Sequence, residues 1–249
     1  MYRYFLDGEV HPERAQIPDR RISARFTHAA SGVDAKADVR ILLNQVAVWV
    51  ETEVEWNALD LRNVVKYLVQ LEMDMVGYVL GHTYDVEIRR ATCSEIGVDV
   101  VFGIDVPCIS ELHRGVDLDA RIATMRPKLQ GESGVFIHRC LRDLITAMKE
   151  PDDVAFHCYR AVESLRQHCI ATRILDPKDK ATQWKTLRDI AGCDESATRS
   201  LEKAAQAPRH GEAEVVPEVD AVKLLTTAWL SRTATSSTAE SCESLGRWR

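Results

Sequence analysis

Residues 151–173, PDDVAFHCYRAVESLRQHCIATR, carry the pattern that decides the fold of the C-terminal half. Val154, Cys158, Ala161, Val162, Leu165 and Cys169 recur at helical spacing and make one apolar stripe. On another face His157, Arg160, Ser164 and His168 follow one another at i, i+3, i+7 and i+11. Pro151 suits a first turn because its missing N–H would have no partner there, and Asp152 and Asp153 complement the positive end of the macrodipole. A long amphipathic helix is therefore predicted.

The segments around it read the same way. Val135–Lys149 carries Phe136, Leu141, Leu144, Ile145 and Met148, and the break before Pro151 is short enough for an antiparallel helical hairpin. Leu175-Asp176-Pro177 is a turn. Thr182–Ala191 places Trp184, Leu187 and Ile190 together and ends at Gly192. Glu195–Ala207 turns Leu201, Ala204 and Ala205 inward and is expected to stop at Pro208. Pro217 opens a last helix with Val222, Leu225 and Trp229 on one face. Five helices with short loops predict a bundle over 134–232, followed by a polar tail over 233–249.

Residues 1–110 have a different period. Tyr2–Leu6 reads as a short strand ended by the turn pair Asp7-Gly8. Arg21–His28 alternates Ile22, Ala24 and Phe26 against polar neighbours, the mark of a half-buried strand. Val39–Trp56 is one long strand or a hairpin turning at Asn44-Gln45. Asn57-x-x-Asp60 resembles a capping box and opens a helix whose apolar face is read as Leu61, Val64, Val65, Leu68, Met75, Val76 and Val79, with Gly81 to end it. Strands Tyr84–Arg89 and Val98–Val106 follow, and Pro107 closes the second. The prediction is an α+β domain with its helix on an antiparallel sheet, joined through 111–133 to the all-α bundle.

Composition narrows the function classes. The chain of 249 residues is 45% hydrophobic and 28% charged with a formal net charge of −6, so it has no global basic field for nucleic acid or an anionic membrane. No apolar run approaches a membrane span, and MYRYFLDGEV lacks the charged-then-apolar order of a signal peptide. Seven cysteines, with no C-x-x-C pair, suggest reduced thiols and a cytoplasmic location. No phosphate-binding glycine loop, nucleophile elbow or metal-ligand spacing is present, so neither a cofactor nor a metal is expected. Trp49 and Trp56 are expected in the core rather than on a base-stacking surface.

The most unusual string is Pro208-Arg209-His210-Gly211, which sets a fixed cation beside a titratable donor. That pair suits a phosphate or a proton transfer; the structural reading is that Arg209 reaches back to Glu163 as a brace. With Tyr159-Arg160-Ala161-Val162-Glu163 and the tryptophan helix at Trp184-Lys185-x-Leu187, the pattern over 134–232 resembles the HEPN superfamily, and is most similar to its ApeA-like, antiphage-defence-associated members. The resemblance implies a helical bundle that often dimerises and, in active members, metal-independent RNA cleavage by an Arg and a His. The usual Arg-x4–6-His spacing is absent from the bundle, because Arg160 and His168 are too far apart and Arg209 and His210 are adjacent.

The expectation is accordingly a cytoplasmic HEPN-like protein that binds, senses or cleaves RNA. Arg209, His210, His157 and Arg160 are its candidate catalytic residues, His168 a binding residue and Glu163 the structural partner of Arg209. The alternative is a non-catalytic subunit that dimerises or docks in a larger assembly through its bundle. An exposed apolar helix face would favour the alternative.

Overall fold

The computed structural model describes residues 1–29, 31–150, 153–173, 175–209 and 220–229. The chain divides into two compact units, Met1–Ile104 and Asp105–Arg249. The first is an antiparallel sheet with one long helix and the second, among the described residues, has helices and no strand, so the α+β unit followed by a helical bundle is the architecture of the chain.

In the first unit the strands are β1 (Tyr2–His11), β2 (Ile17–Thr27), β3 (Asp34–Leu43), β4 (Gln45–Thr52), β5 (Asp85–Cys93) and β6 (Val98–Val101). They form one antiparallel sheet in the order β2-β3-β4-β1-β5-β6. Period-2 alternation puts Val46, Val48 and Val50 of β4 into the core and turns Trp49 outward. Helix α1 (Ala58–Leu80) covers the inner face with Leu61, Val65, Val69 and Met73, which share a core with Leu6, Val10, Ile41 and Ile88. The Asn57 side chain caps it by accepting from the N–H of Leu59 and Asp60, and Gly81 ends it at φ +70°.

Several local expectations are corrected here. Asp7-Gly8 is not a turn: β1 continues to His11 and takes a register shift between those residues where it pairs with β5. A Cβ at Gly8 would lie 2.2 Å from the Glu87 carbonyl oxygen, so the close approach of β5 requires glycine there. The hairpin turns at Leu43-Asn44, one residue earlier than expected, with Leu43 at φ +56°. Met75 and Val79 are exposed and Val69 and Met73 take their places on the inner face. Pro107 begins a helix instead of closing a strand.

Trp56 is buried, with its backbone N–H donating to the Tyr4 hydroxyl at 2.8 Å. Trp49 is not in the core. It is 47% exposed and sits 5.5 Å from the ring of its cross-strand partner Phe5 on the outer face of the sheet.

The second unit begins with α2 (Pro107–Ser110) and α3 (Leu118–Met125), so the expected connection is itself helical. Then come α4 (Gly131–Lys149), α5 (Val154–Arg173), α6 (Lys180–Ala191), α7 (Glu195–Ala204), α8 (Gln206–Arg209) and α9, residues 220–229. All six residues of the α5 stripe are buried. They pack with Cys140, Leu144 and Ala147 of α4, Leu187 of α6, Leu201 of α7, and Leu225 and Trp229 of α9. Ile145, expected inward, is 46% exposed. Helix α7 stops at Ala204, and Pro208 lies within the short α8 instead of ending its predecessor.

Candidate functional site

The predicted residues of α5 separate into two sets, because successive side chains leave a helix about 100° apart. His157 and Arg160 share one partner that the sequence reading missed, Asp143 of α4. Its Oδ1 lies 3.2 Å from Arg160 Nη2 and 3.6 Å from His157 Nδ1. The Asp143 side chain is only 7% exposed and that of Arg160 is 49% exposed, so the carboxylate is buried and its cation reaches water. Arg160 also lies over the Phe156 ring, 5.1 Å from its centroid. His157 Nδ1 is buried and makes no hydrogen bond, since 3.6 Å is too long for one.

One helical turn beyond Ser164, His168 Nδ1 meets the Ser133 carbonyl at 3.2 Å. A carbonyl only accepts, so Nδ1 carries the proton. His168 and Asp143 thus clip opposite ends of the α4–α5 hairpin. The residue pairs 143/157 and 133/168 run in opposite senses, as two antiparallel helices require.

Tyr159, Glu163 and Arg166 form the second set. Glu163 takes its ion pair from Arg166, at 3.8 Å. Arg209 is exposed, and its guanidinium lies over the Tyr159 ring at 5.4 Å. The expected Arg209–Glu163 brace is therefore replaced by a stack. Arg166 lies over Trp184 at 5.0 Å, Trp184 stacks on Tyr159 at 6.3 Å and 25°, and Arg209 lies over Tyr159. Arg166 is held from the side by Gln183 Oε1, at 2.6 Å, and its Nε is buried with no hydrogen bond. Burial pushes the Tyr159 hydroxyl up to about 12, with the Glu163 and Glu202 carboxylates adding to the shift.

Of the four candidate catalytic residues, the structure brings His157 and Arg160 together on Asp143 and gives Arg209 a different partner, Tyr159. His210 lies outside the described residues. A signal for Asp143 was present: it is the one carboxylate in the α4 stripe of Cys140, Leu144 and Ala147. Arg166 and Gln183 carried no comparable signal, because long polar side chains on helices are ordinarily solvated.

Elsewhere in the helical unit the Trp229 indole donates to His113 Nε2 at 2.6 Å, which fixes the His113 proton on Nδ1. In the sheet unit an open depression of about 500 Å³ is lined by Arg25, Lys36, Asp34, Glu51 and Glu53, a mixed set with no preference for one sign of charge. Among the described residues no group of three His, Cys, Asp or Glu side chains could hold a metal ion. No helix among them is long and apolar enough to cross a membrane. No disulfide joins any two of the six described cysteines, four of which are buried.

Residues 4–102 match the model for the N-terminal domain of DUF8168, a domain of unknown function, and residues 122–238 match the model for its C-terminal domain. The chain matches both DUF8168 domains, in order. The first DUF8168 match falls within the sheet unit and the second holds every residue of the Asp143 clip and of the arginine–aromatic stack. No curated protein and no solved structure matches the sequence.

Proposed function

We propose that this is a cytoplasmic, HEPN-like defence-type protein that binds RNA at the Arg209 edge of its helical unit. The observation that carries the reading is the Arg166–Trp184–Tyr159–Arg209 stack, which fixes an exposed guanidinium against buried Tyr159 and, through it, half-buried Trp184. A guanidinium laid over a ring directs its N–H groups outward in its own plane, the geometry of a two-point phosphate contact. Its position is set before a ligand arrives, which lowers the ordering cost of binding. His157 and Arg160 act structurally in this reading, since both turn to Asp143. Cleavage would require a base beside Arg209, and His210 is its neighbour in sequence.

The test is binding of fluorescently labelled single-stranded RNA to the full chain in EDTA. Wild type is expected to bind with an affinity that falls as salt rises. Arg209→Ala is expected to lose about tenfold with an unchanged melting temperature. A wild type that does not bind, or a variant that binds equally well, overturns the reading. Cleavage that is lost in His210→Ala with binding retained would extend it to a nuclease.

A second reading, a non-catalytic subunit of an assembly, is favoured by the outer face of α1, where Tyr67, Leu71, Met75 and Tyr78 are all exposed.

A further inference from the structure

We propose that the outer face of α1 docks a second copy of this chain, with the two α1 helices antiparallel and crossing at Leu71. The proposal rests on the assembly reading and gives it an occupant. It stands apart from the RNA reading.

Helix α1 buries Leu61, Val65, Val69, Met73 and Val76 against the sheet. The opposite side of such a helix is ordinarily polar. Here it presents Val64, half-buried at the rim of the inner core, and then Tyr67, Leu71, Met75 and Tyr78, exposed by 60%, 47%, 51% and 91%. These positions advance by three and four residues, the interval at which one helix fills the grooves of another. The stripe runs about 21 Å along the helix at 1.5 Å per residue. Its polar margins carry Asp60, Asn63, Lys66, Gln70 and Asp74. A margin with two carboxylates and one lysine does not suit an anionic lipid surface or a phosphate backbone, both of which call for clustered Lys and Arg. It does suit a protein partner.

The spacing identifies that partner. Val64 and Tyr78 each lie seven residues from Leu71, and Tyr67 and Met75 each lie four residues from it. A twofold interface must be complementary to itself. Antiparallel pairing about Leu71 sets Leu71 on its own counterpart, Tyr67 on the second copy's Met75, and Val64 on the second copy's Tyr78. Thioether-to-aromatic and aliphatic-to-aromatic contacts result on both sides of the axis. The same register brings Asp60, in the first turn, beside exposed His82 just past the end of the other α1. It also opposes the two macrodipoles.

Sedimentation velocity of the full chain over a wide concentration range tests the proposal. Wild type is expected to reach a dimer. Leu71→Glu with Met75→Glu is expected to remain monomeric with an unchanged melting curve, because both side chains are exposed in the folded unit. Under oxidising conditions Leu71→Cys is expected to cross-link to itself, and Val79→Cys, off the axis, to do so far less. A wild type that stays monomeric overturns the proposal, including the case in which the α1 stripe is shielded from surface labelling by the chain's own helical unit. A dimer that survives the double substitution also overturns it, while leaving an assembly through some other surface in place.

Discussion

Asp143 meets Arg160 and His157 through one oxygen, and neither contact is placed by local sequence. Replacing it with Ala leaves Arg160 without its carboxylate and opens space beside His157 Nδ1. The expected loss is about 1 kcal/mol, because Arg160 reaches water and His157 has no hydrogen bond to lose, read as a lower urea midpoint with an unchanged slope. Cys158 makes a second prediction. It is fully buried, and burial pushes its thiol up to about 12 from an ordinary 9.0. Above pH 9 the unfolded chain loses this proton first, so the folded form is disfavoured progressively as pH rises towards 12. Thiol reagents should accordingly label Cys158 only at the rate of unfolding, whereas partly exposed Cys193 should react directly. Mass spectrometry after timed labelling checks this. Both the α5 stripe and the burial of its cysteines were legible, because helical periodicity is a local property. The partners of His157 and Arg160 were not, because they depend on how two helices align.

Among the elements, α1 was the most legible, since its ends are written chemically in Asn57 and Gly81. Asn57→Ala removes the acceptor for the first free N–H groups and should cost about 1 kcal/mol, seen as a lower melting temperature of the sheet unit. Its two faces were harder to read. Apolar residues occur on both sides, so the sequence pattern alone did not decide which stripe met the sheet. Strand β1 shows the converse difficulty. Asp7-Gly8 has the composition of a turn, yet the glycine is there because the β5 backbone passes too close for a side chain. Gly8→Ala should therefore destabilise by about 1–3 kcal/mol, as overpacking does, and amide exchange should accelerate along β1 and β5 first. A turn residue would have tolerated the change.

Across the whole molecule, each unit closes its own hydrophobic core. Residues 1–104 expressed alone should fold to a β-rich product with a cooperative thermal transition, and a fragment without one would show that the sheet unit needs the rest of the chain. Fold class was legible because the hydrophobic period changes from 2 to 3.6 along the chain. The outward turn of Trp49 was not, since a tryptophan in a strand fits either face until register is known.

The sheet ends on β2, eleven residues long, with no strand beyond it among the described residues. Its outer row of peptide groups is a ready template for a foreign strand, and Pro18, Arg20, Arg21 and Arg25 stand along it. Proline and charge along an exposed edge oppose its pairing with another chain. Arg21→Val with Arg25→Val should leave the monomer's fold intact and shorten the lag before thioflavin-positive fibres form.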